Sequence, residues 1–217
     1  MKLEDLLKGS VEPTKIEQSI VQEEPPKVEI PDYLLNDPQV VGYPDLEMQE
    51  QIYRMVAGTI YNSEDDTKSR TELLSVKDFG AGRGDIIGWL DGFNYAGYET
   101  NRLLVEAGKV KYDGINLVEK DFFQSNLKTD FTICVGTLNS MPTNDKWKLF
   151  REVMQKALET TTDKIIFVLA NRFDVEGYND YPLLELVQHL PTNPFELNYT
   201  FLEDIYMLVV HVDEFNQ

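Results

Sequence analysis

The sequence predicts an α/β fold: a mostly parallel sheet with helices on both faces, ending in an antiparallel hairpin. Three observations lead there. Short strand-like runs alternate with amphipathic helical stretches from residue 75 onward, the pattern of parallel strands joined by crossover helices. Two runs, 131–135 and 164–170, are apolar apart from Thr132 and the leading Lys164, as strands buried on both faces are. The last two runs, 195–201 and 205–212, are joined only by Leu202-Glu203-Asp204, too little chain for a crossover and enough for a tight hairpin.

Each element has its own reason. Asp45 stands where it caps a helix whose apolar face is Leu46, Ile52, Tyr53, Val56 and Ile60. Residues 62–70 are polar and read as a loop. The first strand is Ser75–Phe79, followed by a helix from Gly84 to Leu90. The second strand is Tyr95–Glu99, with a short helix over Asn101–Ala107. The third strand is Gly114–Glu119 and the fourth Phe131–Val135. A helix over Asp145–Thr160 carries Phe150, Val153, Met154, Ala157 and Leu158 on one face. Lys164–Ala170 is the fifth strand, Pro182–Leu190 a further helix, and the hairpin completes seven strands.

Ahead of this domain, residues 1–45 read as an extended, acidic, Pro-rich arm, and 46–217 as the folded part. The arm holds Pro13, Pro25, Pro26, Pro31, Pro38 and Pro44. Its two candidate helical turns, Leu3–Lys8 and Lys15–Val21, are too short to be stable alone. The arm is either a free tail or a docking segment that lays Leu3, Leu6, Leu7, Ile16, Ile20 and Val21 on a protein partner.

Composition narrows the function. The 217 residues suffice for one domain with a sizeable core. With 38 acidic residues against 20 basic ones the net charge is -18, which repels polyanions, so nucleic acid and anionic membranes are poor partners. A single cysteine, Cys134, excludes an intrachain disulfide, and two separated histidines, His189 and His211, build no recognisable metal site. No stretch reaches membrane-spanning length and no targeting segment is visible, so the expectation is a soluble, cytoplasmic protein.

The strongest local motif is Asp78-Phe79-Gly80-Ala81-Gly82-Arg83-Gly84-Asp85, between the first strand and its helix. Glycines there permit a sharp turn and a close approach of ligand to backbone, with the helix start presenting free N–H groups. A dinucleotide G-x-G-x-x-G fails because its third glycine falls on Asp85, and a phosphate P-loop lacks its Gly-Lys-Ser/Thr. Glu99, at the tip of the second strand, stands beside this loop in such a sheet, where a carboxylate can accept both hydroxyls of a ribose. After the third strand, Asp121 can accept from an adenine amino group and Phe122 can cover the ring.

These segments, in this order, resemble motifs I, post-I and II of class I S-adenosylmethionine-dependent methyltransferases. Residues 130–140 are similar to that family's motif IV, and the resemblance spans about 46–212. It implies a seven-stranded Rossmann-like sheet whose last strand is antiparallel between two others. It also implies S-adenosylmethionine as cofactor. Asp78 would then face the methionine ammonium; Gly80, Ala81 and Gly82 would line methionine and ribose; Glu99, with Tyr98 beside it, would bind the ribose. Asp121 and Phe122 would flank adenine, and Gly136 and Thr137 would close the methionine end. Asn139, Ser140 and Asn171 would face the substrate.

The chain departs from the family in two places. About a dozen residues separate the third and fourth strands, so the usual helix between them is short or missing. Motif IV has Gly136-Thr137-Leu138-Asn139 in place of Asn/Asp-Pro-Pro-Tyr, which argues against methylation of exocyclic amines of DNA bases. No general base stands out; Asp174 and Tyr178 are further polar candidates, and Cys134 reads as core. Three functions follow: a methyltransferase acting on a small molecule or protein; an inactive domain of this kind serving as an adaptor, docked by its arm; and, weakest, a nucleotide-sugar or NAD-type enzyme using Glu99 on ribose.

Overall fold

The computed structural model describes residues 29–62, 73–172, 176–199 and 204–212. The two helical turns predicted before residue 22, residues 63–70 of the predicted polar loop, Asp174 and residues 200–203 of the hairpin connection lie outside them.

Seven strands form one sheet in the order β3-β2-β1-β4-β5-β7-β6. They are β1 Ser75–Phe79, β2 Asn94–Glu99, β3 Leu117–Glu119, β4 Thr129–Val135, β5 Thr161–Ala170, β6 Phe195–Tyr199 and β7 Ile205–His211. β1 to β5 pair in parallel, while β7 runs antiparallel to both β5 and β6. This is the expected architecture, with β7 inserted between β5 and β6.

Six α-helices are described: α1 Asp32–Asn36, α2 Leu46–Tyr61, α3 Arg102–Lys111, α4 Thr137–Ser140, α5 Lys146–Thr160 and α6 Leu183–Leu186. Their starts follow the capping residues: Asp45 accepts from the Met48 N–H, Asn101 from Leu103 and Asp145 from Lys148. α2 and α3 cover one face of the sheet through Ile52, Val56, Ile60 and Val105, packed with Val76, Phe131 and Val209. α5 covers the other through Phe150, Val153 and Ala157, packed with Phe79, Ile165 and Leu208.

Three predicted elements are shorter than expected. The helix after the glycine loop is a five-residue 3-10 turn, Asp85–Trp89, and Pro182–Leu190 divides into α6 and a 3-10 turn over Val187–His189. The third strand keeps only Leu117–Glu119, because Gly114 has φ +73° and still belongs to the turn. Between β3 and β4 the helix is indeed missing; a 3-10 turn, Phe122–Gln124, takes its place. Aromatic rings fill that volume. Phe122 stacks on Phe79 with centroids 4.4 Å apart, and Phe123 leans on Phe122 at 4.6 Å.

Lys77 in β1 is fully buried. Its ammonium donates to the Thr160 hydroxyl and carbonyl and to the Leu127 carbonyl, so it satisfies the C-terminal end of α5 from below. Burial pushes its pKa down to about 8.

Candidate functional site

The C-terminal ends of β1, β2 and β4 converge, and their loops hold the residues the motifs single out. The bend after β1 is tied to the end of β2 by three hydrogen bonds. The N–H groups of Gly80 and Ala81 both donate to the Tyr98 carbonyl, at 2.9 and 3.0 Å. The Gly82 N–H donates to Glu99 Oε2 at 3.0 Å, and the Glu99 Oε1 accepts from the Asn101 N–H at 2.7 Å. Glu99 and the glycine loop therefore share one place. Each carboxylate oxygen is left with acceptor capacity beyond the one backbone bond it takes.

The glycines work differently from the sequence expectation. A Cβ on Gly80, which has φ +72°, would stand 2.3 Å from the Thr137 side chain. Thr137 uses that room: its hydroxyl donates to the carbonyls of Phe79 and Gly80 at 2.7 and 3.3 Å. At Gly82, φ +57°, the room is used by Val41, whose Cγ1 lies 3.0 Å from the missing Cβ. The space beside both glycines is filled by protein side chains, and the N–H groups of Gly80, Ala81, Gly82 and Gly84 all donate within the protein. The helix start that was to present free N–H groups is only the short 3-10 turn. Thr137, in the first turn of α4, reaches the loop in this way, and Gly136, just before it, donates its N–H to the Val168 carbonyl.

Asp78, 4% exposed, takes a single hydrogen bond among the described residues, from the Tyr95 hydroxyl at 2.9 Å. Among the described residues no ion pair includes it. Burial pushes its pKa up to about 7; the Tyr95 bond opposes this and the Glu99 charge adds to it. Asp85 faces the opposite environment. Arg83 donates to its Oδ2 through Nε and Nη2, at 2.9 and 2.7 Å, and Gln49 adds a third bond. Lys111 and Tyr112 donate to Oδ1, at 2.9 and 3.0 Å. Burial alone would raise this carboxyl; the bond from Lys111 and the charges of Arg83 and Lys111 outweigh it and hold the pKa below the usual carboxylate range.

Asp121 lies two residues past β3, whose last residue, Glu119, pairs with Glu99, and the Lys120 N–H between them donates to the Glu99 carbonyl. Its Oδ1 accepts from the Phe123 N–H at 2.9 Å. Phe122 is 6% exposed and lies in the core between Phe79 and Phe123, so its ring faces are occupied by other rings, and its side chain is not an open cover for a ligand. Tyr98 is likewise buried in that core.

The residues expected to face a substrate are tied into the scaffold. Asn139 Nδ2 donates to the Asn179 carbonyl at 2.7 Å, and the Asn179 N–H donates back to the Asn139 carbonyl at 2.8 Å. Asn179 Nδ2 also donates to the carbonyls of Leu138 and Met141. Asn171 Oδ1 accepts from the Leu183 N–H, and the Ser140 hydroxyl donates to Thr137. The bonds of Asn139 and Asn179 join the segment after β4 to the segment after β5. Tyr178 is exposed beside them. Cys134 is buried in β4, and burial pushes its thiol up to about 12, which suits a core residue.

Sequence reasoning missed Arg83, Tyr95, Val41 and Asn179. Only Tyr95 carried a signal, since it lies on the same strand face as the Gly97 that pairs with Asp78. Among the described residues no group of three or more His, Cys, Asp or Glu is placed to hold a metal ion, and no helix is long and apolar enough to cross a membrane.

No protein-family model matches the sequence, and no curated protein matches it in sequence. Solved structures do match in shape. The magnesium protoporphyrin IX methyltransferase ChlM of Synechocystis PCC 6803, with S-adenosylmethionine bound, aligns at TM-score 0.58 and 14% identity over 84% of this chain and 94% of its own. CalS10, an amino pentose methyltransferase of Micromonospora echinaspora, aligns at 0.59 and 11% over 78% and 93%. The small RNA methyltransferase HEN1 aligns at 0.58 and 14% over 88% of this chain and 27% of its own. The chain therefore has the fold of class I S-adenosylmethionine-dependent methyltransferases.

Proposed function

We propose that this chain binds S-adenosylmethionine and transfers its methyl group to a small molecule or a protein. The observation that carries the reading is the carboxylate of Glu99 held against the glycine loop by the Gly82 N–H, with acceptor capacity left for a ribose diol. Asp78 adds to it: a buried carboxyl with one neutral donor suits a ligand that brings positive charge. Asp121 sits next along the same edge for the adenine amino group, and Gly136 and Thr137 bound the methionine end. The structural neighbours add weight, since ChlM and CalS10 act on small molecules and are recorded with this cofactor. The net charge of -18 makes an RNA acceptor of the HEN1 kind unfavourable.

Bound there, the cofactor supplies a methyl group already activated on a sulfonium. The chain's own residues then hold the ligand by Glu99 and Asp78 and fix the loops around it, which is the alignment that this chemistry needs. The test is isothermal titration of the full chain. S-adenosylmethionine should bind with micromolar affinity and be displaced by S-adenosylhomocysteine, and Glu99→Ala should weaken it by about tenfold or more, the value of one charge-assisted hydrogen bond. No heat with the wild-type chain would end the reading.

A further inference from the structure

The proposed donor site is bordered by a piece of chain that none of the cofactor motifs contains. Residues 32–43 comprise α1, a 3-10 turn over Pro38–Val41 and Tyr43. Two such short turns are not stable alone in water, so tertiary contacts must hold them. Leu34 packs on Leu104 and Ala107 of α3. Val41 is wedged against Gly82, inside the glycine loop. Tyr43 meets Tyr53 edge-on at 5.6 Å.

One side chain fastens this segment to the loop. Arg83, 1% exposed, donates through Nη1 to the Leu34 carbonyl at 2.9 Å and the Asp37 carbonyl at 3.0 Å. Its other face is fixed by the two bonds to Asp85. The planar fork of a guanidinium can serve both sides at once, which a lysine cannot. Arg83 lies between Gly82 and Gly84, so whatever fixes Arg83 also fixes the loop that borders Glu99.

We infer that residues 32–43 form a strap closing the methyl-donor crevice, and that Arg83 is the positioning residue that seats it, so that cofactor enters and leaves as the strap lifts. The gating rests on the S-adenosylmethionine reading; the seat does not.

The experiment uses the full chain, with Arg83→Lys and Val41→Ala, and two readouts. Amide hydrogen exchange reads the strap directly. In Arg83→Lys, peptides within 32–43 should exchange about tenfold faster, the equivalent of one lost hydrogen bond, while β4 and α5 keep wild-type rates. Stopped-flow measurement with S-adenosylhomocysteine reads the gate. Its association and dissociation rates should both rise by about threefold or more in each variant, with the number of sites unchanged. A purely structural role would reduce the number of competent sites and leave both rates alone.

Unchanged strap exchange in Arg83→Lys overturns the seat. A loosened strap with wild-type rates overturns the gate. Absence of binding in the wild-type chain removes the cofactor reading and the gate with it, while the exchange result still decides the seat. If Arg83→Lys does not fold, Val41→Ala, at a half-buried side chain, carries both readouts by itself.

Discussion

Asp78 and Asp85 flank the same glycine loop and are both buried, yet one is crowded with donors and the other has a single one. Asp85 receives bonds from Arg83, Gln49, Lys111 and Tyr112, two of them cations. Among the described residues, Asp78 receives only the neutral Tyr95 hydroxyl. A buried carboxylate that is fully paired serves the scaffold, because removing its partners is what costs stability. A buried carboxyl with one neutral donor holds its proton to a higher pH than an exposed one, and a positive charge facing it favours the ionised form. The contrast separates the part of the loop that builds the fold from the part suited to a cationic ligand.

The largest effect expected is from Asp85→Ala. It leaves Arg83 buried without its counter-charge and should cost about 3–5 kcal/mol, read as a lower urea midpoint at unchanged slope. Because the folded pKa of Asp85 is depressed, its contribution is present above the ordinary carboxylate pKa of about 4 and is lost as pH falls through the folded value. The variant should therefore lose part of the wild-type's acid sensitivity. An effect below 1 kcal/mol would erase the distinction between the two carboxylates.

Asp78→Asn should act with the opposite sign. Its folded pKa is raised to about 7, so its contribution is full below the ordinary carboxylate range and is lost as pH rises through about 7. At pH 8 the asparagine variant should be about 2–4 kcal/mol more stable than wild type, and the two should converge near pH 4. The gain should come with a loss: wild-type affinity for S-adenosylmethionine should rise between pH 6 and 8, and the variant should bind more weakly with a flat profile. A variant less stable at pH 8 would mean that Asp78 has a charged partner after all.

Lys111→Met should be the mildest, about 1 kcal/mol, since this lysine is partly exposed and Arg83 still pairs Asp85. If denaturation shows a loss equal to that of Asp85→Ala, the cluster turns on Lys111 and not on Arg83.

The sequence made the architecture readable because periodicity reports which residues a strand or helix buries. Ser75–Phe79 emerged with its ends correct, and Asp45, Asn101 and Asp145 marked helix starts that the caps reproduce. Element length was less readable. Leu117–Glu119 pairs with β2 at only three positions because the chain is still turning at Gly114, and where a turn yields to pairing is a tertiary fact. The neighbourhood of Glu99 and Gly82 could be foreseen from the rule that loops at strand ends converge. Arg83 could not, since its partners include carbonyls of Leu34 and Asp37, and a carbonyl leaves no mark in a sequence. Phe122 misled for a related reason: the missing helix before β4 needed a filler, and an aromatic after an acidic residue reads the same whether it covers a ligand or plugs a core.

The reciprocal bonds between Asn139 and Asn179 make two loops, distant in the chain, a single mechanical piece. Neither can be lengthened, trimmed or re-sequenced in isolation without unfastening the other. Redesign of either stretch should therefore vary both together, and drift in natural populations should alter them as a couple.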